Sequence, residues 1–176
     1  MRKILFILGD LTDRDVDWLA ESGRQRNFGA GEVMIEEGHA VSHIFIVLEG
    51  RFSVRVGNGG ELASLQKGEI VGELSFLDSR PPNATVQAAQ TSSVLAIPRD
   101  VLSEKLSRDP DFAARFYRAL GVFLASRLRQ TMGRMGFGES GSIADEDASD
   151  ELDPDLLDQT SLAAARFENL LARFRG

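Results

Sequence analysis

The chain has no cysteine and only two histidines, His39 and His43, among its 176 residues. Disulfides and thiolate chemistry are therefore excluded, and imidazole can reach a metal from two positions at most. These two fall in a turn and at a strand start rather than on a helix face, which marks them as surface or packing residues. No nucleophile stands beside a base, and no second carboxylate accompanies Glu73 for acid/base work. An enzyme is not expected, nor a cofactor or a bound metal. Long apolar runs are also missing: the one in "MRKILFILGD" is closed at once by Gly9 and Asp10, too short for a signal peptide or a bilayer span. A cytoplasmic location without membrane contact is the expectation.

An excess of positive charge is absent too. The net charge is −7, and it is unevenly placed: residues 1 to 138 carry seventeen Lys+Arg against seventeen Asp+Glu, and residues 139 to 176 three against ten. Proteins that hold duplex DNA unaided gain most of their affinity by neutralising phosphates. A neutral body with an acidic tail predicts no direct DNA binding.

What is present is an ordinary hydrophobic share, 43%, enough for one compact domain with an appendage. "LTDRDVDWLAESG" reads as a helix, with Thr12 as N-cap, Asp15 at the third helical position, Val16, Leu19 and Ala20 on one face and Gly23 as stop. From Phe28 the period changes to two. "GEVMIEEG", "HIFIVLEGRFSVRVG", "ELASLQKGE" and "SSVLAIPRD" are short β-like runs separated by glycine turns, the pattern of a β-sandwich or jelly-roll barrel. In "RFSVRVG" the inward set is expected to be Phe52, Val54 and Val56, with Arg51, Ser53 and Arg55 outside. At Asp109 a helix opens on Pro110 and carries Phe112, Phe116, Leu120, Phe123, Leu124 and Leu128 to about Thr131. So long an apolar stripe predicts pairing with a second copy, a homodimer through 109–131. Arg115, Arg118, Arg127 and Arg129 are read as that helix's wet face, with contact to the acidic tail or to a ligand's phosphates as their other reading. The expected domains are 1–133, an acidic Gly/Ser linker at 134–155, and an amphipathic helix at 156–176. The acidic run from Asp145 to Asp155 is read as solvated, with occupation of an empty anion pocket as its other reading.

The most informative stretch is "GELSFLDSRPPNATV", residues 72 to 86. Together with "FGAGEVMIEEG", "IFIVLEGRFSV", "LQKGEIVGELSFLDSRPPNATVQA" and "SSVLAIPRDVL" in this order, it resembles the cyclic nucleotide-binding domain of the catabolite-activator and kinase regulatory-subunit type, over residues 12 to about 131. The resemblance implies an α+β fold: a jelly-roll with a short N-terminal helix, a cassette turn-helix and a long C-terminal helix. It makes 72 to 86 the phosphate-binding cassette. Gly72 lets the backbone approach a ligand, and the amides of Glu73, Leu74 and Ser75 begin a short helix facing anionic oxygen. Glu73 corresponds to the acidic residue that accepts a ribose hydroxyl, and Ser75 and Thr85 offer hydroxyls. Arg80, Asn83 and Ala84 complete the expected ligand set.

Two departures from the family pattern matter. Pro82 stands where an arginine pairs with the cyclic phosphate, and Arg80 precedes it by two residues. Beyond the long helix there is no helix-turn-helix, so a stand-alone sensor is expected. Two functions follow. One is a non-catalytic receptor for a cyclic mononucleotide or cyclic di-GMP that relays its state to a partner protein such as a DNA-binding regulator; for the two-phosphate ligand the candidate cations are Arg80, Arg2, Lys3 and Arg99. The other is a protein-interaction module that has lost its ligand.

Overall fold

The structure, a computed structural model, describes residues 8–134 and 154–174. Arg2, Lys3 and nearly all of the expected linker, including its acidic run up to Asp153, lie outside the described residues.

The first complete helix, α1 (Asp13–Ser22), begins where its capping chemistry dictates. The Asp15 amide donates to Thr12 Oγ1 at 3.3 Å, and the Thr12 amide donates back to Asp15 Oδ2 at 2.8 Å. This reciprocal box satisfies two otherwise orphaned donors. Val16, Leu19 and Ala20 are buried and Gly23 closes the helix, as the sequence pattern predicts.

Eight strands follow: β1 (Arg24–Phe28), β2 (Val33–Ile35), β3 (His43–Glu49), β4 (Arg51–Arg55), β5 (Glu61–Gln66), β6 (Ile70–Val71), β7 (Thr85–Ala88) and β8 (Ser92–Pro98). They form two four-stranded ladders, β1-β8-β3-β6 and β2-β7-β4-β5, with antiparallel pairing throughout. The fold is therefore a jelly-roll of two four-stranded sheets, as the sequence pattern predicts. β1 escapes the period-two reading because four of its five side chains are exposed. It is an edge strand held by backbone pairing to β8, Arg24 opposite Ala96 through Phe28 opposite Ser92. In β4, Phe52 is fully buried and Val54 partly so, but Val56 is 47% exposed because the strand ends at Arg55, before the "GNGG" turn. Ser53, expected outside, is buried and its hydroxyl donates to the Gln87 carbonyl at 3.4 Å.

Two hydrophobic clusters explain why β3 reads as a continuous apolar run instead of an alternation. Phe45 and Val47 point into the sandwich with Phe28, Phe52 and Val94. Ile44, Ile46 and Leu48 face the other way, onto helices. Both faces of that sheet are covered, so both sets of side chains are apolar.

The covering helices are α1, α3 (Arg99–Arg108), α4 (Pro110–Arg134) and α5 (Pro154–Phe174); a short helix, α2 (Glu73–Asp78), lies between β6 and β7. The Phe112 amide donates to Asp109 Oδ1 at 2.9 Å, so Asp109 caps α4. Phe112, Phe116, Leu120 and Phe123 of α4 share one cluster with Ala163, Phe167, Leu170 and Leu171 of α5. α5 packs on α1, pinned by Arg166 to Asp13 and by Arg173 to Asp17, each at 2.6 Å. The first half of the α4 stripe is thus buried within this chain, whereas Leu128 is 61% exposed. No helix among the described residues is long and apolar enough to cross a membrane.

Candidate functional site

Strand β6 delivers the chain to Gly72, whose φ of +91° lies in the left-handed region. A Cβ there would fall 2.9 Å from the His43 carbonyl oxygen. Glycine is thus required twice over, by torsion and by the close approach of the β3 backbone. Expected to admit a ligand, its bareness first admits β3. The cassette helix α2 then spans six residues and ends on Ser79, whose amide donates to the Ser75 carbonyl at 3.1 Å. The second half of the cassette is tied to the turn after β2: the Gly38 amide donates to the Pro82 carbonyl at 2.9 Å, and the Glu37 amide to Thr85 Oγ1 at 3.1 Å.

These elements enclose a cavity of ≈ 200 Å³. From the first half of the cassette Gly72, Glu73, Leu74 and Ser75 line it, and from the second half Arg80, Asn83 and Ala84. Thr85 is not part of the lining; its hydroxyl is engaged by the Glu37 amide. Val54, Leu65, Val71 and Val86 supply apolar wall, and so does Pro82. The arginine expected near that point by analogy is replaced by a group without charge or amide hydrogen. Arg80 is exposed at the lining, and its side chain has no ion pair among the described residues.

One residue that sequence reasoning placed elsewhere completes the site. Arg127 of α4 lines the cavity and its Nη1 lies 2.7 Å from Glu73 Oε1, so it is not wet face. Its guanidinium stands 5.6 Å from the Phe123 ring centroid. The signal was available: 116, 120, 123 and 127 follow steps of four, three and four, which puts Arg127 on the buried stripe. Arg115 is a second correction. Its Nε and Nη2 reach Asp15 at 2.8 and 3.1 Å, a bidentate tie between α4 and α1. Arg118, 3.7 Å from Asp10, and Arg129 are exposed, as expected.

Glu73 is 2% exposed. Burial pushes its carboxyl above the ordinary value; the Arg127 charge and hydrogen bond pull it down without overcoming that push. Asp15 is the opposite case. Burial raises it, but hydrogen bonds from Arg115 and Thr12 outweigh burial and hold it below the usual carboxylate range. Arg99, expected as a ligand cation, donates through both Nη atoms to backbone carbonyls, Val41 at 2.9 Å and Ser75 at 2.7 Å, and does not line the cavity. His39 is exposed beside Glu36, and His43 lies against Ser42 and Phe45. Among the described residues no group of three His, Cys, Asp or Glu is placed to hold a metal.

The arrangement offers an apolar slot with one buried carboxylate and one guanidinium paired to it, at the entry to a short helix. Such a slot suits a small ligand with hydroxyls to donate to Glu73. The family profile described as the cyclic nucleotide-binding domain matches residues 25–109. Among curated proteins, Glutaminase 2 of Bradyrhizobium diazoefficiens is 29% identical over 122 residues, covering 69% of this chain and 19% of that protein. The cAMP-dependent protein kinase regulatory subunit of Mycosarcoma maydis is 38% identical over 74 residues, covering 40% of this chain and 14% of that one. The chain therefore spans about a fifth or less of these relatives' own length. Among solved structures, the catabolite activator protein of Thermus thermophilus superposes with a TM-score of 0.59 at 27% identity, over 72% of this chain and 60% of that one. The sandwich and the cassette helix fall within the matched stretch, and residues 25–109 match the model of the cyclic nucleotide-binding domain family.

Proposed function

We propose that the chain is a non-catalytic, cytoplasmic receptor for a cyclic mononucleotide that relays ligand state to a partner protein such as a transcription regulator. The observation that carries this reading is Glu73, a buried carboxylate at the wall of the cassette cavity. A buried carboxylate that pairs with an arginine across two elements is costly to maintain, and a ribose hydroxyl is a partner it can accept from. The cAMP-dependent name of the Mycosarcoma maydis relative points the same way.

The cavity of ≈ 200 Å³ lies below the roughly 300–1,000 Å³ of drug-sized sites, which favours one nucleotide over two. Cyclic di-GMP would also need a second cation, and Arg99 is committed to the Val41 and Ser75 carbonyls. A ribose competing for Glu73 would loosen Arg127 and so address α4. Leu128 and Met132, at 61% and 46% exposure on the last turns of that helix, offer apolar surface to a second copy or another partner.

A second reading is a protein-interaction module without ligand. Pro82 in the cavity wall favours it, because the phosphate there meets no guanidinium of the expected kind. Calorimetry with cyclic AMP, cyclic GMP and cyclic di-GMP separates the two. Saturable heat with a mononucleotide supports the receptor, heat with cyclic di-GMP alone moves the ligand class, and no heat with any of the three leaves the interaction module.

A further inference from the structure

We infer that Arg99 is a positioning residue for the cassette: its guanidinium holds helix α2 against the loop before β3 and thereby sets where the cavity-lining amides stand. The inference rests on the cassette being the ligand site, but its first test does not require a ligand.

A helix of six residues does not persist in water on its own, because nucleation costs more than one or two hydrogen bonds return. Nor does α2 have a side-chain cap at its start, where Gly72 stands. Leu74 and Leu77 are exposed, at 58% and 43%. What holds α2 must come from elsewhere, and three contacts are visible. Glu73 pairs with Arg127, the Phe76 ring meets Phe116 edge-on with centroids 6.4 Å apart, and Arg99 binds the Ser75 carbonyl.

The Arg99 contact is the one that joins separate layers. Arg99 opens α3, and its backbone is fixed by its amide donating to the Ser42 carbonyl at 3.0 Å. From that fixed point Nη1 reaches Val41, 58 residues away in sequence, and Nη2 reaches Ser75, 24 residues away. The same guanidinium stands 5.7 Å from the Phe76 ring centroid. The Val41 side chain also lies close to Gly72, its Cγ1 3.5 Å from where a Cβ of that glycine would stand. One planar fork therefore ties α2, three residues beyond Gly72, to the loop before β3. Lysine, with a compact ammonium on a flexible stem, does not reproduce that two-point geometry. Charged donors to carbonyls are also among the stronger hydrogen bonds.

The test is amide hydrogen exchange on ligand-free protein. In R99Q the amides of Phe76 and Ser79, which donate to Gly72 and Ser75 within α2, are expected to exchange on the order of 10-fold faster, while the β8 amides of Leu95 and Ile97 keep their protection. R99K, which retains charge, is expected to lie between, and it decides the matter should R99Q fail to fold. Unchanged protection of Phe76 and Ser79, or loss that rises in step with β8, overturns the assignment, as does full wild-type protection in R99K. In a chain that binds nucleotide, R99Q is further expected to weaken binding about 10-fold with Glu73 and Arg127 intact. A wild-type chain that binds none of the nucleotides removes the receptor reading and leaves the exchange result to stand or fall by itself.

Discussion

Arg127 of α4 and Glu73 of α2, 54 residues apart in the chain, meet at 2.7 Å in the wall of the cassette cavity. The pair joins the cassette to the long helix through a single ionic contact. The carboxylate is buried while the arginine side chain is 34% exposed, so only the guanidinium end of the pair is partly hydrated.

Removing the arginine alone leaves a buried carboxylate without its charge partner. Arg127→Met is therefore expected to destabilise the chain at pH 7.5 by about 1–3 kcal/mol, below the usual cost of breaking a fully buried pair because water already screens the guanidinium. The double change Glu73→Gln with Arg127→Met is expected to cost less than the single one. Urea denaturation of the three proteins measures this, and equal costs for the single and double variants would show that no desolvated charge is at stake.

Glu73 and Asp15 predict opposite pH dependences. Glu73 titrates above its unfolded value, so the folded state binds its proton more tightly; that contribution is full below pH 4.5 and is lost as pH rises through the folded value. Asp15 titrates below its unfolded value, so its contribution is present above pH 3.8 and is lost as pH falls through the folded value. Stability measured against pH should thus lose its decline above pH 4.5 in Glu73→Gln. In Asp15→Asn, part of the acid-side loss should vanish. A Glu73→Gln profile parallel to wild type over that upper window contradicts the first assignment.

Pro82→Arg tests what the wall lacks. A guanidinium there is expected to raise affinity for a cyclic mononucleotide roughly 10- to 100-fold, the worth of one or two charge-assisted bonds. Titration calorimetry reads the change. An unchanged affinity would place the ligand's phosphate elsewhere, with Arg80 as the cation nearest to hand.

Helix α5 is part of the core, and Phe167 is its largest buried anchor, 5% exposed and with its ring centroid 5.3 Å from Lys67 Nζ. Phe167→Ala is expected to cost about 3–5 kcal/mol and to open α5 to protease before the sandwich unfolds. Limited proteolysis followed by mass measurement checks the order of cleavage; simultaneous loss of α5 and sandwich would mean that they form one cooperative unit.

Much of this molecule was legible from residue order. Thr12, Asp15 and Gly23 predicted α1 because capping is local chemistry, and Asp109 with Pro110 predicted the start of α4 for the same reason. The order of glycine turns and β-like runs, with the cassette among them, pointed to the fold family. β1 was missed because an edge strand is held by backbone pairing and its side chains carry no period. Ser53 was misplaced because alternation reports direction, while burial on the outer side also depends on Gln87 of the neighbouring strand. Arg115 and Arg127 were misread because a charge on a helix is ordinarily solvated, and only the position of Asp15 and Glu73 reveals otherwise.

The sequence by itself determined the local events: which residues cap, turn and alternate, and that Pro82 brings no charge to the cassette. Tertiary structure alone decided which charges meet. Glu73 with Arg127, Asp15 with Arg115, and Arg99 with the Val41 and Ser75 carbonyls each join positions 24 to 100 residues apart. The physical reason is range. Torsion and capping act over a few residues, whereas a desolvated ion pair or a shared guanidinium exists only once separate elements have been packed side by side.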